Sequence, residues 1–139
     1  MHSHRILVVE DDPASLELVQ VYLESLGYEV VGAPDGNRAL DLGGSGRYEL
    51  MILDVNLPLY GGVEVLQMLR KRHLLHPMRV IALTADPRPE IRDQLLQGGI
   101  DSILAKPVTL AKLRDEVARL LAKPAMAGAR GPGAPDPNP

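Results

Sequence analysis

The sequence contains no cysteine, no tryptophan and no phenylalanine. Without cysteine there is no disulfide framework, no thiolate metal site and no cysteine nucleophile, and such a chain suits a reducing cytoplasm. Aromatic residues make up 3% of the chain, too few for a base-stacking platform, and a net charge of −3 offers no basic field toward nucleic acid. No stretch approaches the roughly 20 apolar residues of a membrane span, and the N-terminal MHSHR lacks the apolar segment of a secretory leader. The expectation is a soluble cytoplasmic chain that touches neither nucleic acid nor membrane directly.

What is present is the balance of one globular domain: 139 residues, 45% hydrophobic and 24% charged. From residue 123 the composition turns to KPAMAGARGPGAPDPNP, which has too few large apolar groups to bury anything. The reading is a domain over residues 4–122 and a disordered tail or linker stump over 123–139.

Four aliphatic runs lack polar alternation: ILVV (6–9), LMIL (50–53), VIAL (80–83) and SILA (102–105). Such runs suit strands buried on both faces, and YEVVGA (28–33) is a weaker fifth. Helical spacing falls between them at 14–26, 35–42, 62–72, 89–97 and 109–121. Gly27, Gly43, Gly98 and Gly99 stand where helices should stop, and Pro13 and Thr109 where they should start. Strand and helix thus alternate five times, which predicts an α/β, doubly wound (βα)5 fold with a parallel sheet and ligands at the carboxyl ends of its strands.

Those ends carry an unusual set of residues. Strand one runs into Glu10, Asp11 and Asp12, strand three into Asp54, strand four into Thr84 and strand five into Lys106. Adjacent carboxylates repel, and a cation among them relieves that repulsion. With a hydroxyl and an ammonium nearby, the set suits phosphoryl transfer to a carboxylate: Asp54 attacks phosphorus, Mg²⁺ rests on Asp11, Asp54 and a carbonyl, and Lys106 and Thr84 meet the transferring oxygens. Each residue also has a plainer reading. Asp12 before Pro13 suits a helix cap, as does Thr84, while Asp54 and Lys106-Pro107 suit ordinary turns.

Other features carry less. Arg70, Lys71 and Arg72 suit the last turn of a helix, where the dipole favours cations. GGSG (43–46) leads out of a helix, with no Lys-Ser/Thr pair after it, and reads as a connector rather than a phosphate cradle. His73 and His76 lie three apart but have no third metal ligand nearby.

In order and spacing, ILVVEDDP, MILDVNLP, VIALTA and ILAKP resemble the receiver domain of bacterial two-component response regulators, over roughly residues 4 to 122. The resemblance implies a flavodoxin-like sheet of order 2-1-3-4-5 with five helices, and a phosphoryl group accepted from a histidine kinase or histidine phosphotransfer protein. It makes Asp54 the phosphoacceptor, Asp11 a Mg²⁺ ligand, Glu10 its companion acid and Asn56 a ligand through its carbonyl. Thr84 becomes the switch hydroxyl and Lys106 the phosphate-binding lysine, with a cis Lys106-Pro107 bond. The family's usual aromatic switch position holds Ile103, and Val108 stands where an aromatic is frequent. The resemblance further implies self-catalysed phosphorylation and dephosphorylation, with Asn56 and Asp86 placed to tune phosphate loss. Its output surface would be the helix 4, strand 5, helix 5 face, with a homodimer as one use of it.

Two other readings compete with this one. A phosphohydrolase of the haloacid-dehalogenase type would need a second acid where Asn56 stands. A phosphorylation-independent interaction module is favoured by Ile103 and opposed by the acidic set with Thr84 and Lys106.

Overall fold

The computed structural model describes residues 4–44, 47–57, 61–72, 78–86 and 88–122. His73, His76, Ser45, Gly46 and the segment 123–139 lie outside the described residues. The elements are β1 (Arg5–Val9), α1 (Pro13–Ser25), β2 (Glu29–Ala33), α2 (Gly36–Gly43), β3 (Leu50–Asp54), α3 (Gly62–Lys71), β4 (Arg79–Thr84), α4 (Pro89–Gln97), β5 (Ser102–Ala105) and α5 (Leu110–Ala122). All strand pairs are parallel, in the order β2-β1-β3-β4-β5.

Strand alternation divides the core in two. Ile6, Val8, Leu50, Ile52, Ile81 and Leu83 pack with Leu23 of α1 and with Leu113, Val117 and Leu120 of α5. Leu7, Val9, Met51, Leu53, Val80 and Ala82 face α2, α3 and α4 through Leu40, Leu66, Leu69 and Leu95. Helices therefore cover both faces, which is why the central strands carry no polar alternation. Since β1 is followed by α1 on one face and β3 by α3 on the other, the carboxyl ends of these neighbouring strands form a topological switch point.

The helix boundaries have local causes. Asp12 caps α1 by accepting from Ser15 N–H at 2.9 Å, with Pro13 in the first turn, so the cap reading of Asp12 holds. Helix α1 ends in a Schellman turn: Gly27, at φ 99°, donates to Glu24 C=O, and Tyr28 N–H reaches Leu23 C=O. Helix α4 ends the same way at Gly99, φ 96°. Gly43, expected as a stop, is instead the last residue of α2, and Gly44 is the cap. Arg70 in the last turn of α3 donates to Gln97 C=O at 2.8 Å and so joins α3 to α4.

Strand β5, at the sheet edge, is tied to α5 by Ser102 Oγ, which donates to the Glu116 carboxylate. Arg119 Nε donates to the same carboxylate at 3.0 Å. Arg119, followed by Ser102, holds the Glu116 carboxyl down to about 2, against an ordinary 4.5. A lowered carboxylate pKa adds stability that is complete above the unfolded value and fades as pH falls through the folded one. Glu116→Gln is therefore expected to lower neutral-pH stability by about 1 kcal/mol, a gain kept small by the solvent around the pair. In urea titrations the gap to wild type should close as pH is lowered from 4.5 toward 2. A gap constant across that interval would contradict the assignment.

Candidate functional site

Asp54 is the last residue of β3, and its side chain follows Ile52 onto the α1 and α5 side of the sheet. Only 2% of it is exposed, so its carboxylate needs partners. Asn56 N–H donates to Oδ1 at 2.9 Å, and Lys106 Nζ lies 2.9 Å from Oδ2. Lys106 directly follows β5, which pairs with β4 and ends on the same rim of the sheet, and its peptide to Pro107 is cis.

Strand β1, alongside β3, delivers the other acids. One carboxylate oxygen each from Glu10, Asp11 and Asp54 lie within 4.8 Å of one another. Burial pushes the Glu10 carboxyl above its ordinary value, with the Asp54 charge adding to it, while a hydrogen bond from Asp12 N–H at 3.1 Å pulls the other way. Hard, anionic oxygen donors in such a cluster are what a hard divalent cation of the Mg²⁺ type requires. The donor set fits the metal.

These residues open into a cleft of about 700 Å³. One wall is polar, with Glu10, Asp11, Asp54, Asn56 and Lys106; the other is apolar, with Leu18 and Val19 of α1, Val108, and Leu110 and Leu113 of α5. The sequence reading missed that apolar wall. Its signal was the surplus of apolar residues in α1, more than one buried stripe can absorb.

Thr84 is not brought into this cleft. Asp54 pairs with Leu83 across the sheet, so Thr84 is one residue further on and alternates to the opposite face. There it lines a separate cavity of about 150 Å³ with Asp86, Arg92, Ile103 and Ala105. It caps no helix; its hydroxyl accepts from Asp86 N–H at 3.0 Å and donates to Asp86 C=O at 3.2 Å. Asp86 thus stands beside Thr84, away from Asp54. Ile103 packs against the α2, α3, α4 side of the core.

Known proteins resemble this chain in both sequence and fold. The sequence profile of the family described as "Response regulator receiver domain" matches residues 6–118. The sensor histidine kinase RcsC of Salmonella typhi is 37% identical over 113 residues, which are 81% of this chain and 12% of that protein. The polar-differentiation response regulator DivK of Brucella anthropi is 30% identical over 112 residues, 81% of this chain and 91% of that protein. Among solved structures, the receiver domain of a sensor histidine kinase from Pseudomonas aeruginosa PAO1 superposes with a TM-score of 0.79 at 31% identity. The match covers 88% of this chain and 100% of that one, which has a magnesium ion coordinated in its active site cleft.

Proposed function

The chain belongs to the response regulator receiver domain family, and from that membership we propose that Asp54 accepts a phosphoryl group from phosphohistidine on a sensor kinase or a phosphotransfer protein. The observation that carries this reading is the buried Asp54 carboxylate, held between Lys106 and the Asn56 N–H beside two further acids.

The chemistry follows from those contacts. An Asp54 oxygen forms a bond to phosphorus as the phosphorus–nitrogen bond of the donor breaks, and the electron pair leaves with the imidazole. Asn56 N–H fixes the carboxylate so that it faces the cleft. Lys106, paired with Asp54 beforehand, follows the charge onto the phosphoryl oxygens as the attacking oxygen loses its own. Glu10, Asp11, Asp54 and the Asn56 carbonyl would hold Mg²⁺, which when bound neutralises phosphoryl charge. Hydrolysis of the acyl phosphate returns the domain to its resting form, with Asn56 at the cleft positioned toward water.

The resulting signal is read on the face formed by α4, β5 and α5, which draws on both helix layers because β5 is the edge strand. That face also suits a homodimer. The setting is cytoplasmic, in keeping with a cysteine-free chain; no helix among the described residues is long and apolar enough to cross a membrane.

The test is intact-mass measurement after incubation with acetyl phosphate. A single phosphoryl adduct that requires Mg²⁺ is the expected result, and no adduct with Mg²⁺ bound would overturn the reading.

The apolar wall predicts how a protein donor differs from a small one. Leu18 is 57% exposed at the cleft, and the histidine-bearing surface of a donor must press against it to reach Asp54. Leu18→Lys is expected to slow transfer from the protein donor by about ten-fold, the scale of one interface anchor. The rate with acetyl phosphate should not change. Equal losses with both donors would mean that Leu18 shapes the site and not the docking.

A further inference from the structure

The Thr84 hydroxyl donates to and accepts from the backbone of Asp86, and Asp86 is itself held by its side chain. Its carboxylate accepts from Arg88 N–H at 3.0 Å, from Arg88 Nε at 3.0 Å to each oxygen, and from Arg88 Nη2 at 2.7 Å. Arg88 is also the N-terminal cap residue of α4, where its carbonyl accepts from Ile91 and Arg92 N–H at 3.1 and 3.2 Å. A continuous chain of contacts therefore runs from the Thr84 hydroxyl through Asp86 and the planar Arg88 fork to the first turn of α4. Neither Asp86 nor Arg88 lines the Asp54 cleft.

We propose that Arg88 is a positioning residue which, by clamping Asp86, keeps the Thr84 hydroxyl turned away from Asp54 and so sets how readily the domain enters its phosphorylated conformation. The inference rests on the reading of Asp54 as phosphoacceptor. For Thr84 to donate to a phosphoryl oxygen, it must give up both contacts with the Asp86 peptide. The Arg88 fork holds that peptide in place, so every turn of Thr84 toward Asp54 works against the fork. The small cavity between Arg92 and Ile103 is where the hydroxyl rests in the meantime.

The sign of the effect separates this role from simple electrostatics. Loss of a cation near an anion site weakens anion binding, whereas loss of a clamp on the resting state strengthens binding of any ligand that needs the other state. Beryllofluoride, a tetrahedral stand-in for the phosphoryl group, can be titrated calorimetrically into the Mg²⁺-saturated whole chain. Arg88→Ala is expected to tighten its affinity by about three-fold, the scale of one exposed ion pair. Because the clamp acts through the hydroxyl, the same substitution in a Thr84→Ala background should change nothing. An equal change in both backgrounds, weaker binding, or no change overturns the role of Arg88 while the phosphoacceptor reading stands. A wild-type chain that does not bind beryllofluoride overturns that reading and the clamp with it.

Discussion

Asp54→Asn is expected to abolish the phosphoryl adduct and leave the fold intact. The amide keeps the shape of the carboxylate and its oxygen still accepts from Asn56 N–H, while Lys106, left facing the amide nitrogen, is partly exposed and can turn to solvent, so the end of β3 stays in place. What disappears is the nucleophile, because a neutral amide does not attack phosphorus to give the acyl phosphate that a carboxylate forms. Adduct formation with acetyl phosphate should drop by at least about a hundred-fold, into the background of the mass measurement. The far-UV circular dichroism spectrum should superpose on that of the wild type. An adduct of undiminished yield would move the phosphoacceptor elsewhere, with Glu10 and Asp11 as the neighbouring carboxylates.

The second large effect is expected at Gly62, the first residue of α3. A Cβ there would stand 2.6 Å from Val55 Cα, 3.1 Å from Asp54 C=O and 3.3 Å from Val55 C. All three atoms are backbone, so no side chain can swing away to make room. The Gly62 N–H also donates to Val55 C=O at 2.9 Å, pinning helix to loop at the closest point. Gly62→Ala must push α3 off the loop that follows Asp54, with a cost of about 2 kcal/mol after the better helix propensity of alanine is allowed for. In urea that is a midpoint lower by about 1 M. Adduct formation should slow as well, because the displaced loop carries the Asn56 N–H. Gly43→Ala is the control: its Cβ would meet Leu69 Cδ2 at 3.4 Å, an ordinary contact with a side chain that can adjust. Equal midpoints for the two variants would refute the argument.

Much of this was legible in the amino-acid order, for identifiable reasons. Strands buried on both faces must be apolar at every position, so β1, β3 and β4 announced themselves, whereas β2, half-exposed along an edge, gave a weaker pattern. Helix α4 and strand β5 have the bounds read from the sequence, because Pro89 opens the first and Gly98 and Gly99 separate them. Helix α1 was harder. Leu16, Val19, Leu23 and Leu26 carry its helical spacing, yet among its residues only Leu23 is fully buried, and Leu26 just beyond it is 42% exposed. Apolar residues on several sides of a helix do not say which side meets the sheet.

The site divides in the same way. That Glu10, Asp11, Asp54 and Lys106 converge follows from parallel strands ending on one rim. That Thr84 lies on the other face follows from a register offset of one residue, which no single strand reveals. Arg88 gave no signal, because its meaning depends on a carboxylate two residues away that happens to fold back onto it.

That one-residue offset has an evolutionary side. Asp54 and Thr84 stand on adjacent strands but opposite faces, at the rim where the sheet stops. With Asp54 as phosphoacceptor in the proposed function, a message would cross from one face to the other by the turn of a single side chain, without repacking either half of the interior. Selection can then act on the two halves separately. On the proposed function, substitutions among the buried leucines and valines would alter how durable the domain is, while changes in the short loops at the rim would alter its timing. A scaffold partitioned in this way can be retuned to a new clock rate without being rebuilt.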